Sequence, residues 1–83
     1  MAEQKQLQIN IAKVDGSVFA GEVLFVTVPG TEGEMTILAN HSPLMTVLKA
    51  GVVTVKLPDE TIKKFDIESG TMEVSNNQVT ILL

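Results

Sequence analysis

This sequence predicts an all-β fold, a sandwich or a barrel, on three observations. Side chains alternate with period two almost throughout, and turn residues recur about every ten positions. No stretch carries apolar residues at the i, i+3, i+4, i+7 spacing of a helix. Leu7, Ile9 and Ile11 alternate with Gln8, Asn10 and Ala12, which predicts a first strand with one buried face. Asp15-Gly16-Ser17 then turns the chain. Val23–Val28 (VLFVTV) is apolar on both faces and predicts a central strand covered on each side, by a second sheet or by a partner. The next turn is Pro29-Gly30-Thr31-Glu32-Gly33, followed by a short strand over Glu34–Leu38. In Asn40-His41-Ser42-Pro43, Asn40 suits left-handed backbone, and Pro43 fixes φ and starts the following strand.

Lys49-Ala50-Gly51 turns the chain again, and Val53, Val55 and Leu57 alternate with Thr54 and Lys56. Beyond the Pro58-Asp59-Glu60 turn, Phe65 and Ile67 alternate with Lys64, Asp66 and Glu68. Turns at Glu68-Ser69-Gly70 and Ser75-Asn76-Asn77 precede a last strand, where Val79 and Ile81 alternate with Gln78 and Thr80. Frequent Thr and Val, with little Ala, agree with strand propensity.

The 83 residues make one domain, 1–83, with an ordinary 45% of hydrophobic residues. A chain of this size buries only about 60–65% of its unfolded surface, which leaves little core to enclose an active site. No cysteine is present, so disulfides and thiolate metal sites are excluded. The N-terminal MAEQKQLQIN has neither the apolar stretch nor the clustered positive charge of a secretory signal. Apolar runs fall far below the roughly 20 residues that span a bilayer, so the expectation is a soluble, cytosolic chain. The net charge is −4, all six cations are lysines, and aromatic residues are limited to three Phe. Nucleic-acid binding needs the reverse, a positive surface with rings to stack on bases.

Catalytic readings fail on inventory. His41 is the sole histidine, and its neighbour Ser42 would seldom point toward it; no phosphate loop of the GxxxxGK[ST] type exists. The acidic pairs Glu32/Glu34 and Asp59/Glu60 lie in turns, where carboxylates are solvated rather than tuned for acid–base work. Met35, His41 and Met45 would make a soft Cu(I) cluster, but their spacing matches no motif and methionine more often fills cores. No catalytic residue, metal or cofactor is therefore expected. On these residues alone, His41 reads as a side chain bonded to the backbone of its own turn.

The segment GEMTILANHSPLMTVLKAG, residues 33–51, resembles the signature of epsilon subunits of F-type ATP synthases: a Gly-Glu step, a short strand, then a Gly/Asn-His-Ala/Ser-Pro-Leu turn. Upstream, VFAGEVLFVTVPGTEGE is similar to the same family, with its Phe-x-Gly entry (Phe19, Gly21) and Ser/Thr-Glu-Gly-Glu loop. Downstream, ESGTMEVSNNQVTILL resembles its Ser-Gly-Gly-x-x-Glu-Val strand, Asn turn and final strand. Departures are Thr36 for Gly, Ala39 for Pro, Asn40 for the commoner Gly, and Thr71 for the second Gly of the Ser-Gly-Gly step. Each substitute suits a strand or a left-handed turn. Family members usually continue as an Ala-rich helical hairpin that can block rotation, whereas this chain stops at Leu83; the expectation is a chain that couples without inhibiting.

The resemblance implies a flattened β-sandwich of about ten short antiparallel strands. It implies a non-catalytic rotor subunit in the central stalk, linking the gamma subunit to the c-ring and coupling proton flow to ATP synthesis. Carried over by motif, Thr31, Glu32 and Glu34 of the loop Thr31-Glu32-Gly33-Glu34 would meet the c-ring. Lys13, His41, Ser42 and Thr46 would meet gamma. The chain would then sit at the cytoplasmic face of a bacterial plasma membrane, attached only through the complex. Composition and periodicity also leave open a free-standing β-sandwich adaptor that binds a peptide at a sheet edge.

Overall fold

The alternation in the sequence becomes nine strands in the computed structural model, which describes residues 5–83. Residues 1–4, the start of the segment judged to lack a secretory signal, lie outside the described residues. The strands are β1 (Leu7–Lys13), β2 (Gly16–Val23), β3 (Phe25–Gly30), β4 (Gly33–Leu38) and β5 (Leu44–Leu48), then β6 (Gly51–Lys56), β7 (Ile62–Ile67), β8 (Gly70–Ser75) and β9 (Gln78–Leu82). No helix occurs among the described residues.

One continuous ladder runs β2-β1-β9-β8-β5-β3-β6-β7, with β4 beside β3. Its weak point is between β5 and β3, where a single residue pair, Gly30 with Leu48, carries the register. The sheet folds over there. One layer is β2-β1-β9-β8-β5 and the other is β4-β3-β6-β7. At the far side, Phe19 of β2 meets Phe65 of β7, ring centroids 5.7 Å apart and tilted by 43°. Between the layers lie Ile9, Ile11, Met72, Val74, Val79 and Ile81 from the first, and Val26, Val28, Ile37, Val53 and Val55 from the second. No polar or charged residue is buried with them among the described residues. Each such side chain contributes about 1.5–3 kcal/mol by leaving water, so the core alone explains why period two is so regular.

Three expectations need correction. Val23–Val28 is not one strand. Val23 closes β2, Leu24 bends, and Phe25 opens β3. The Leu24 N–H donates to Lys56 O at 2.6 Å, which fixes the bend. The apolar run is continuous because the chain crosses there from one layer to the other. Val23 packs inward from the first layer and Val26 and Val28 from the second, while the outward Phe25 and Thr27 are only half-buried. Second, Pro29 and Gly30 belong to β3, and the turn shrinks to Thr31-Glu32. Third, β1 and β9 pair in parallel, from Gln8 with Gln78 to Ala12 with Leu82, against the antiparallel rule elsewhere. These two strands are far apart in sequence, so no short hairpin dictates their direction.

Candidate functional site

The acidic loop forms the tip of the β3–β4 hairpin. Gly30 pairs with Gly33 across it, and Thr31, Glu32, Gly33 and Glu34 are all exposed. Two glycines shape this tip for opposite reasons. Gly33 has open space around it but takes φ +134°, a conformation that side chains with a Cβ resist. Gly30 has ordinary φ but no room: a Cβ there would lie 2.8 Å from the Gly33 carbonyl oxygen. The tip is strapped to the other layer. The Thr31 N–H donates to Val47 O at 3.1 Å, and the Lys49 N–H to Pro29 O at 2.9 Å. Neither Glu32 nor Glu34 forms a salt bridge among the described residues, so both carboxylates present their charge outward.

At the other end of β4, Leu38–His41 is a turn closed by the His41 N–H donating to Leu38 O at 3.2 Å. Asn40 sits at its third position with φ +65°, the left-handed backbone its sequence suggested. The His41 ring donates from Nδ1 to Ser42 O at 2.7 Å. A carbonyl only accepts, so Nδ1 carries the proton of this bond. The ring is thus bonded to the backbone of its own turn, as the residues alone suggested. It does not address the Ser42 hydroxyl through this nitrogen, and no Ser–His pair forms.

Sequence reasoning missed Asn77. It sits in the β8–β9 hairpin, where Asn76 (φ 53°) and Asn77 (φ 60°) form a two-residue turn with both central φ positive, the type I′ pattern. Asn77 Oδ1 accepts the Asn40 N–H at 2.8 Å, and its Nδ2 donates to Gln6 O at 2.8 Å. Its own carbonyl accepts the Gln8 N–H at 3.1 Å. The Asn-Asn dipeptide signalled the turn. No local pattern signalled bonds reaching 37 and 71 residues away.

The four residues expected to meet gamma are not one cluster. His41 and Ser42 share the turn, and Thr46 follows on β5. Thr46 shares the inward face of Leu44 and Leu48 and pairs with buried Met72, so it is half-buried, while Met45 and Val47 point outward. Lys13 ends β1, whose beginning is held beside the His41 turn by Asn77. It therefore lies about 20 Å away, the rise of the six steps from Leu7 to Lys13. The acidic tip is about 17 Å from the His41 turn, at the opposite end of β4. The soft metal cluster is not assembled either: Met35 packs against the core while Met45 is 76% exposed on the outer face. Among the described residues no group of three or more His, Asp or Glu could hold a metal ion.

Elsewhere the surface offers shallow depressions, one lined by Glu73, Ser75, Asn76, Gln78 and Thr80. Asp59 has a shifted carboxyl: the Thr61 N–H donates to its Oδ1 at 3.0 Å and holds it below the usual aspartate value. That turn lies on the β6–β7 side and touches none of the expected site residues. The arrangement is one of exposed turns at the ends of paired strands.

A family model described as the ATP synthase delta/epsilon chain β-sandwich domain matches residues 6–83. The epsilon chain of the Caulobacter vibrioides ATP synthase is 43% identical over 77 residues, covering 93% of this chain and 88% of that one. The epsilon chain of Sulfurimonas denitrificans is 38% identical over 78 residues, covering 94% of this chain but 60% of its relative. The chain thus spans about 60% of the length of several relatives it matches. Among solved structures, a chain of the Euglena gracilis mitochondrial ATP synthase, in an OSCP/F1/c-ring assembly, superposes with a TM-score of 0.89. It is 23% identical and covers 99% of this chain and 52% of that one, a likeness of fold.

Proposed function

This chain belongs to the ATP synthase delta/epsilon-chain β-sandwich family, and from that premise we propose that it is a non-catalytic rotor subunit of an F-type ATP synthase. It links the gamma subunit to the c-ring in the central stalk and couples proton flow to ATP synthesis. The observation that carries this reading is a match over 6–83 to the family's own β-sandwich domain. The bacterial epsilon chains among its relatives support a place at the cytoplasmic face of the plasma membrane, held there through the complex.

The mechanism is mechanical. A close-packed sandwich resists deformation, so a torque applied at one end reaches the other without loss into internal motion. The tip residues Thr31, Glu32 and Glu34 address the c-ring. Their charges pair with its polar loops at about 0–1 kcal/mol per exposed pair, enough to set register rather than affinity. His41 and Ser42 address gamma at the opposite end of β4, with Thr46 beside them and Lys13 at the limit of the same contact. No step here makes or breaks a covalent bond.

The test uses membranes whose synthase has been stripped of its epsilon subunit. Adding the chain restores ATP-driven proton pumping, and the chain co-purifies with gamma. Absence of both results overturns the assignment.

A further inference from the structure

We infer that Asn77 is the positioning residue of the gamma-contacting turn, fixing where His41 and Ser42 stand; this rests on the reading of that turn as the gamma contact. The β4–β5 connection, residues 39–43, has no strand pairing of its own. His41 N–H bonds to Leu38 O at the end of β4 and His41 Nδ1 to Ser42 O, contacts that shape the turn and its exit from β4 but reach no strand of the first layer. Besides the chain's own entry into β5 at Leu44, the Asn40 N–H to Asn77 Oδ1 bond at 2.8 Å is what ties it to the first layer.

Asn77 is itself held. Its Nδ2 donates to Gln6 O and its carbonyl accepts from Gln8, so the start of β1 clamps it on two sides. Both β1 contacts flank Leu7, which is buried in the core. Core, β1, Asn77 and Asn40 therefore form one chain of contacts ending at the residue before His41.

The position makes three demands at once: backbone at φ 60°, an acceptor one carbon beyond Cβ, and a donor at the same reach. Asparagine meets all three. Glycine keeps the backbone only. Aspartate keeps the backbone and the acceptor but cannot donate to Gln6 O. Alanine loses everything. The series Asn77→Asp, Asn77→Gly, Asn77→Ala therefore removes the demands in order.

The experiment is gamma affinity by titration, with amide hydrogen exchange on the same proteins. For Asn77→Gly we expect gamma affinity to fall by about tenfold or more and the Asn40 amide to lose its protection. The amides of buried Val79 and Ile81 on β9 keep theirs, which separates a displaced turn from an unfolded sandwich. Asn77→Asp restores most of the affinity, because the bond to Asn40 survives. Combining Asn77→Gly with His41→Ala costs less than the two single losses added together, since both act through one turn. Wild-type affinity in Asn77→Gly, or loss of affinity in Asn77→Asp equal to that in Asn77→Gly, overturns the inference while leaving the assigned function intact. Failure of the wild-type chain to bind gamma overturns the function and this inference with it.

Discussion

Replacing Gly30 by alanine tests the seam on which the two-layer fold depends. Only Gly30 and Leu48 pair directly between β3 and β5, and a Cβ on Gly30 would stand 2.8 Å from the Gly33 carbonyl oxygen and 3.4 Å from Met35 Sδ. The methionine is flexible and yields. The carbonyl is backbone, locked into the Gly30–Gly33 pair that closes the hairpin. A carbon–oxygen contact settles near 3.3–3.6 Å, so about 0.5–0.8 Å of overlap must be relieved by moving the tip or the seam. Overpacking of this kind costs about 1–3 kcal/mol. For a domain of this size each kcal/mol lowers Tm by about 4–8 °C, so Gly30→Ala is expected to melt roughly 4–24 °C below wild type. Thermal unfolding followed by circular dichroism near 215–220 nm measures it. A Tm within 2 °C of wild type would refute the reasoning, since the hairpin would then accommodate a methyl group where the geometry leaves no space.

Ile81, wholly buried between the layers, should lose about 2–5 kcal/mol on replacement by alanine, read as a fall in urea midpoint; its exposed neighbour Leu82→Ala serves as the control. Asp59 is held below its ordinary pKa of 3.8, chiefly by the Thr61 N–H, so the native state favours its ionised form. That stability is present above the unfolded pKa and lost as pH falls through the depressed folded value. The advantage of wild type over Asp59→Asn should therefore vanish on acidification, and an advantage that grows toward low pH would contradict the sign. Changing Glu32 and Glu34 together to Lys should leave the sandwich folded, because exposed substitutions usually change stability by less than about 0.5 kcal/mol each. The same double change should weaken proton pumping in reconstituted membranes, and undiminished pumping would show that the tip does not face the ring.

The fold was legible wherever one strand faces the core from one layer. Leu7, Ile9 and Ile11 read correctly because β1 never leaves its layer, and Val79 and Ile81 likewise. Failure came where the chain changes layers. Across Leu24 the apolar run continues, but the surface it packs against switches, and hydrophobicity does not encode which layer a residue serves. β2 was illegible for a related reason. The β1–β2 register shifts between Ile11 and Ala12, and an irregular ladder breaks the period of two on which the reading depends. The candidate site was half legible. Asn40 advertised its backbone conformation, and the glycines and acids advertised an exposed tip. The separation of Lys13 from His41, the inward face of Thr46 and the reach of Asn77 all follow from tertiary register, which no short window contains.

That register carries the last step. The tip and the His41 turn stand at the two ends of β4, a single six-residue strand paired along its whole length with β3. Neither end hangs free. The tip is strapped to β5 through Thr31 and Val47, and the turn to the β8–β9 hairpin through Asn40 and Asn77. Both straps fasten the second layer's outermost strand to the first layer, near its upper and lower limits. A push on the tip therefore meets a braced strut, because tilting β4 would have to break hydrogen bonds at both ends while shearing Ile37 out of the core. A buried apolar interior gives that shear a steep cost, where a loop of the same length would simply bend. Two exposed turns with almost no chemistry between them thus suit the transmission of force. What the sequence spends on β-branched residues and glycine turns is spent on keeping the distance between those ends fixed.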